Sequence, residues 1–556
     1  MIALYSSTQS KRRHSLAPLA GWFLFGRDSV ILPLLVTLFL VVSGSAQAAS
    51  TITASSPSLA DVTTAVSSAV DGDTVIVPAG TASWTSTLTI SKAITLVGAT
   101  TVDSVAGTAV DNTIIQDDVV RDGSGNAIII SIAANARLSG LTFIRDAATP
   151  HGQGQNGGIS VSGTLTGFRI DHCNFNNINQ LQFIICRGWT YGVIDHNLMT
   201  FSSNAQSVLI YHQNFNNGGS YGDGSWAAPT SFGSEKFVFI EDNYLNNTTT
   251  TQTIGDTDCF YGGRYVFRHN HCYNVTPNSH GTEGRFRGSR AIEVYNNDFH
   301  YTFLANMGQL RGGTAVWHDN TWSGTAPSSG MILQAYRTFQ TYRYFGGASG
   351  NNPWDINDTT GHTGNGLGGG ANGLCASGTV NSAATGTITV TGAAWTINQW
   401  AGYAVSNLSQ IEGTSGLPWS ALIVSNTSNT LTYYLYDNPP VFSAGNSFAI
   451  YRVLTSLDQP GRGQGDLITG DTPVNSTTGT ATWPHDALEP VYSWNNLYNG
   501  VTSIDLSPGY RALNQFQANR DYYNNTVMPG YTPYTYPHPL ISGGLPQPPA
   551  NLHVLP

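Results

Sequence analysis

The chain has 556 residues, 23 Lys and Arg against 33 Asp and Glu, and a formal net charge of −10. Only 10% of residues are charged and Gly reaches 61, yet Val, Ile, Phe, Tyr and Trp are interleaved with the abundant Asn, Ser and Thr. This composition argues against a disordered chain and, for want of a clustered excess of Lys and Arg, against a nucleic-acid partner.

Residues 1–48 read as a signal peptide. Lys11, Arg12 and Arg13 precede an apolar run from Val30 to Val42, and Ala46-Gln47-Ala48 has the small-residue pattern of a cleavage site. The run is short for a membrane span, so the expectation is a secreted or cell-surface protein with no membrane partner after cleavage. Cleavage removes four basic residues (Lys11, Arg12, Arg13, Arg27) and one acidic residue (Asp28), leaving 19 basic and 32 acidic side chains, net −13.

Residues 49–345 carry the main repeat. Ser58 to Val70 has helical spacing of Leu59, Val62, Ala65, Val66 and Ala69, with Ser58 as N-cap. Residues 71–99 then alternate strand and turn signals. The segments FRIDHCNF (168–175), GVIDHNLM (192–199), FVFIEDNYL (237–245), YVFRHNHCY (265–273), IEVYNNDF (292–299) and AVWHDNTW (315–322) align as strand, two polar residues, Asn, apolar residue. The aligned column is Cys173, Asn197, Asn243, Asn270, Asn297 and Asn320, at spacings of 24, 46, 27, 27 and 23. Periods in the low twenties suit one coil of a parallel solenoid, and the 46-residue gap suits two. Each Asn is expected to take a left-handed turn conformation and donate its amide to the next Asn in the column, a structural role.

Residues 346–374 read as a Gly/Asn-rich loop, and 375–455 as an inserted small β module that could serve as a carbohydrate-binding appendage. Residues 456–556 return to coils at VYSWNNLYN (491–499) and FQANRDYYNN (516–525), then end in a Pro/Tyr-rich tail expected to pack along the stack.

The helix followed by DGDTVIVPAGT and ITLVGA resembles the opening coils of the pectin-lyase-like β-helix superfamily, over about residues 58–345. The resemblance implies an all-β, right-handed parallel β-helix, with the N-terminal helix covering its open end, of a kind that commonly handles extracellular polysaccharide. The calcium-binding Asp set and catalytic Arg context of pectate lyases in that superfamily find no counterpart here, so no family residue is carried over.

Candidate chemistry lies at a second column, Arg187-Gly188, Tyr261-Gly262, Arg287-Gly288 and Arg311-Gly312, eight or nine residues before the Asn column. Stacked guanidinium groups would accept uronate carboxylates, so an acidic polysaccharide is the expected partner; local pairing with Asp or Glu is the structural alternative. The cluster SHGTEGRFRGSR adds His280, Glu283, Arg285 and Arg290. A lyase would neutralise the uronate with Arg285, Arg287 and Arg311 and move protons with His280, or with Lys236 or Tyr261 in its place, while Arg187, Tyr261 and Arg264 bind substrate. A hydrolase would need two opposed carboxylates, available from Glu283, Glu241, Asp256 and Asp258. A non-catalytic surface or glycan-binding protein is the competing reading.

No metal site is expected and no cofactor is required. Asp71-Gly-Asp73 and Asp256-x-Asp258 are compatible with calcium but equally with turns. Cys173/Cys186 and Cys259/Cys272 share one separation and stand as candidate disulfides, against buried free thiols.

Overall fold

The computed structural model describes residues 48–120, 128–145, 158–176, 182–201, 208–213, 229–248, 255–260, 262–279, 289–334, 374–411, 413, 418–435, 439–451, 459–463, 487–509 and 516–542. They are overwhelmingly β, in long ladders of parallel strands, the arrangement of a parallel β-solenoid. Each coil contributes one strand to each of three sheets. The first ladder runs from Leu88–Ile90 to Ser507–Pro508. The second runs from Thr51–Thr53 to Tyr522–Tyr523. The third runs from Gly80–Trp84 to Leu497–Tyr498.

Alternation along each strand sends every second side chain into the coil. In the second sheet the inward column is Leu96, Leu138, Ile170, Ile194, Ile240, Phe267, Val294 and Trp317, in register and all buried. Each such side chain stabilises the stack by about 1.5–3 kcal/mol. The helix forms at Leu59–Ser68; the Ser58 hydroxyl accepts from the Asp61 N–H at 3.2 Å, and Val62, Ala65 and Val66 are buried. Lys92 Nζ donates to the carbonyls of Ser67 (2.7 Å) and Ala69 (2.6 Å), placing a cation at the helix C-terminus.

Two features fix the corners. Between the first and second sheets the chain turns at Gly188 (φ 87), Gly262 (φ 69) and Gly312 (φ 95). A Cβ on Gly188 would sit 2.5 Å from the Gly163 carbonyl oxygen of the preceding coil, so the glycine at this corner is there for the backbone. Between the second and third sheets the Asn column forms a continuous ladder. Asn197 donates its amide to Asn243 Oδ1 (2.9 Å), Asn243 to Asn270 (3.0 Å), Asn270 to Asn297 (3.0 Å), Asn297 to Asn320 (3.0 Å) and Asn320 to Asn496 (2.8 Å).

Two details of the expected ladder are corrected. The left-handed residue is the one before each Asn: His172, His196, Asp242, His269, Asn296, Asp319 and Asn495, with φ from 51° to 57°. The 46-residue gap holds one coil, because 192–195 pairs directly with Val238–Glu241. The extra length falls between the strands Val208–Gln213 and Val238–Glu241.

Leu374–Thr379 through Ser447–Tyr451 form a separate seven-stranded sheet with antiparallel pairings and its own core. Trp400 is buried in that core, so its ring is not an open platform for a sugar, while Trp395 packs on the core and is half-buried. The solenoid resumes beyond: Val491–Trp494 pairs with Thr314–His318 as the next coil. The expected loop at 346–374 lies outside the described residues except for its last position.

Candidate functional site

The outward face of the second sheet is where charge concentrates. One outward column reads Ser139, Asp171, Asp195, Glu241, Arg268, Tyr295, His318 and Trp494 on successive coils. Three adjacent carboxylates one rung apart would repel. Bidentate arginines offset this: Arg137 holds Asp171 (2.7 and 2.6 Å), and Arg169 holds Asp195 (2.8 and 2.7 Å). Arg268 donates to Glu241 at 2.5 Å. These arginines hold the Asp171 carboxyl below the usual range against its burial.

The tail closes this face, as its composition led one to expect. Arg268 donates to the carbonyls of Tyr534 (2.8 Å) and Thr535 (2.9 Å), and Arg169 to those of Leu540 and Ile541 (both 3.3 Å). The His538 N–H donates to Glu241 (2.8 Å), and Tyr531 Oη to Glu293 Oε2 (2.6 Å). Tyr534, Leu540 and Ile541 pack on the outward apolar cluster of Val193, Phe237, Phe239, Val266, Ala291 and Tyr295. Glu293, sealed beneath, is pushed up to about 7, burial being the main cause.

At the margin of the tail, beside the left-handed turns, lies a cavity of about 370 Å³ lined by Ser104, Val105, His196, Asp242, His269, His271, Tyr536, Pro537 and Ile541. The turn conformation aims His196, Asp242 and His269 from consecutive coils into it, and His271 opens the third sheet just beyond. Tyr536 lies flat on His269, ring centroids 3.7 Å apart, and donates its hydroxyl to Asp242 Oδ1 (2.7 Å). Burial first, then Arg268, lowers His269 to about 4, so its imidazole is neutral near pH 7. Burial raises the Asp242 carboxyl and the Tyr536 phenol. His196 moves the other way: its Nδ1 meets buried Asp195 at 2.8 Å, which raises its pKa. The set can therefore take a proton (His269), give one (Tyr536 through Asp242) and hold a positive charge (His196).

Of the residues expected to act, His280, Glu283, Arg285, Arg287 and Tyr261 lie outside the described residues. Arg187, Arg264, Arg311 and Lys236 do not line this cavity. Arg264 is buried with its guanidinium 6.0 Å from the Trp189 ring, a packing position. Arg311 donates from its backbone to Ser279 Oγ (2.6 Å) and from Nε to Gln334 (3.0 Å). Arg187 is half-buried at its Gly corner, and Lys236 is exposed. Arg290 is enclosed by Glu489 through bonds of 2.7 and 2.9 Å. Glu241 is likewise enclosed by Arg268 and the tail, which removes it as a hydrolytic carboxylate.

The disulfide expectation is corrected: Cys173, Cys186, Cys259 and Cys272 are buried free thiols. Cys186 and Cys259 occupy one column of the first sheet with the strand Val208–Gln213 between them. Cys173 stands at the foot of the Asn ladder, where Asn197 Oδ1 accepts its N–H at 2.9 Å, and Cys272 lies in the third sheet. The shared spacing thus spans different parts of the coil in the two pairs. Burial pushes these thiols well up.

Asp73 spends its oxygens on Ser50 and Val70 N–H groups (both 2.8 Å), and Asp71 accepts from Ala93 (2.8 Å), so this pair builds a turn. Among the described residues no group of three or more His, Cys, Asp or Glu is placed to hold a metal ion.

The signal for the cavity was present in the aligned segments as the polar residue before each Asn. The contribution of Tyr536 had no such signal. No family model matches the chain, and no curated protein matches it, so the site's chemistry is read from its own geometry.

Proposed function

We propose that this is an exported carbohydrate-active protein that cleaves an acidic polysaccharide by β-elimination at the His196–Asp242–His269–Tyr536 cavity. The single observation that carries the reading is the neutral imidazole of His269 stacked on Tyr536, whose hydroxyl is bonded to Asp242. His269 takes the proton from the carbon bearing the uronate carboxylate. The electron pair forms the new carbon–carbon double bond as the glycosidic C–O bond breaks, and Tyr536 protonates the departing oxygen. Proton return from His269 to Tyr536 resets the pair. His196, its pKa raised chiefly by the Asp195 hydrogen bond, faces the carboxylate and, when protonated, stabilises the charge that develops on it. A hydrolase would need a second carboxylate across the gap, whereas Asp242 is the carboxylate among the described lining residues.

The fold belongs to the same reading. A right-handed solenoid, akin to the pectin-lyase-like superfamily, with helix Leu59–Ser68 covering its end, presents such a site on a rigid wall. Export follows from the basic, apolar and Ala-Gln-Ala pattern of the first 48 residues. A panel of uronate polymers, with and without calcium, should give ultraviolet-absorbing unsaturated products, and His269→Ala and Tyr536→Phe should each slow release by about a hundredfold or more. Absence of such products on every acidic glycan, or an unaffected His269→Ala variant, refutes the lyase reading.

A second reading, a non-catalytic glycan-binding or structural surface protein, is favoured by the tail, whose Tyr536 and Pro537 occupy one wall of the cavity. Binding without turnover would select it.

A further inference from the structure

Upstream of the cavity the turn row continues as His172, one coil before His196. The two share one construction, encoded as Ile-Asp-His in both coils. His172 Nδ1 meets Asp171 Oδ2 at 2.7 Å, and His196 Nδ1 meets Asp195 Oδ2 at 2.8 Å. Both carboxylates are fully buried, while the His side chains are 40% and 34% exposed. The rings lie parallel, interplanar angle 5°, with centroids 5.2 Å apart.

A carboxylate bonded to Nδ1 fixes the tautomer: the proton sits on Nδ1, and a second proton, when present, sits on Nε2, the opposite and outer edge of the ring. Among the described residues neither Nε2 has a hydrogen-bond partner. Two parallel rings this far apart present their Nε2 atoms too widely for one metal ion, whose ligands stand about 2.0–2.1 Å from it. The same spacing suits the two oxygens of one carboxylate, each taking one charge-assisted N–H bond.

We propose that His172 and His196 form an anion-binding subsite on the ridge leading into the cavity, taking a carboxylate of a uronate-containing glycan when both rings are protonated. This deepens the reading above by naming what holds the polymer beside the reacting unit. Around the pair stand Asp171, Asp195 and Asp242, with Arg137 and Arg169 paired to the first two; the Asp195 hydrogen bond leads in raising the His196 pKa, Asp242 adds to it, and Arg169 opposes it. From the tail, His538 faces Asp195 and Arg169 and, lowered to about 4, adds no charge near neutral pH. Binding should therefore strengthen as pH falls through the imidazole range.

The test uses the full mature chain carrying His269→Ala, so that ligand is not consumed, with oligogalacturonate as probe and a neutral glucan oligomer of equal length as control. Calorimetric affinity for oligogalacturonate should be about tenfold tighter at about pH 5.5 than at about pH 8. His172→Gln and His196→Gln, which keep a neutral amide at each position, should each erase most of that gain, with an unchanged unfolding midpoint. The Cε1 proton resonances of the two histidines should move on ligand addition. Equal affinity for the neutral glucan, or an unaltered pH dependence in the double Gln variant, overturns the subsite. If turnover is never found but the pH-dependent binding is, the elimination reading falls and this one stands. If turnover is found and the His pair does not affect affinity, the reverse holds.

Discussion

Replacing Asn270 by Ala tests how far the Asn ladder holds the stack together. Its Nδ2 donates to the Ile240 carbonyl (2.9 Å) and to Asn297 Oδ1 (3.0 Å). Its Oδ1 accepts from Asn243 N–H (3.1 Å) and Nδ2 (3.0 Å). All four bonds are buried, and truncation leaves the Asn243 N–H and the Ile240 carbonyl without these partners. A buried polar group left unpaired costs about 1–3 kcal/mol, so the variant should lose about 2–6 kcal/mol, a large share of the 5–15 kcal/mol typical of a folded domain. The damage falls between His269 and His271, two of the cavity's walls, so the site should loosen as well. Urea unfolding followed by Trp fluorescence measures the loss. Asn296→Ala is the control: Asn296 is exposed at φ 56°, and Ala there should cost only about 1–2 kcal/mol from left-handed strain. If Asn270→Ala shifts the curve no further than Asn296→Ala, the ladder is decoration and the reasoning fails.

Other outcomes follow from the same geometry. Buried Glu293 titrates near about 7 in the folded chain against its ordinary 4.5. The stability it confers is therefore complete below about 4.5 and is lost as pH rises through 7, a difference of about 3 kcal/mol. Thermal midpoints between those limits should fall with pH, and Glu293→Gln should flatten the slope. Gly188→Ala forces a Cβ to 2.5 Å from the Gly163 carbonyl at φ 87°. It should cost about 2 kcal/mol or more by urea unfolding, while Gly392→Ala, at φ 77° with open space around it, should cost about 1–2 kcal/mol from backbone strain alone. The chain, unfolded without reductant and treated with a thiol reagent, should carry adducts at Cys173, Cys186, Cys259 and Cys272 on peptide mapping, matching their free thiols; absence of all four adducts would restore both bridges.

What could be read from the sequence was whatever repeats. The strand, the polar pair and the Asn recur on every coil, so the ladder, the corner glycines and the resumption at 491–499 were legible. The register of conformation was not. An alignment ranks positions by identity, and the conspicuous Asn drew the left-handed turn that belongs to the residue before it. The 46-residue gap misled because the hydrogen-bond ladder counts coils, whereas extra chain between two strands adds residues without adding a rung. Cys173, Cys186, Cys259 and Cys272 misled because equal separation along the chain says nothing about phase within a coil. The cavity needed a contact between Asp242 and Tyr536 that no periodicity encodes.

That contact sets a condition in time. The 264 residues between His271 and Tyr536 include the antiparallel module and the last coils, and only beyond them does the chain double back to finish the wall. A chain halted between residues 523 and 536 has its coils, its ladder and its histidines, but no phenol over His269 and no Tyr536 hydroxyl for Asp242. During synthesis the cavity is thus unfinished until residue 536 has emerged, however early its histidines are laid down.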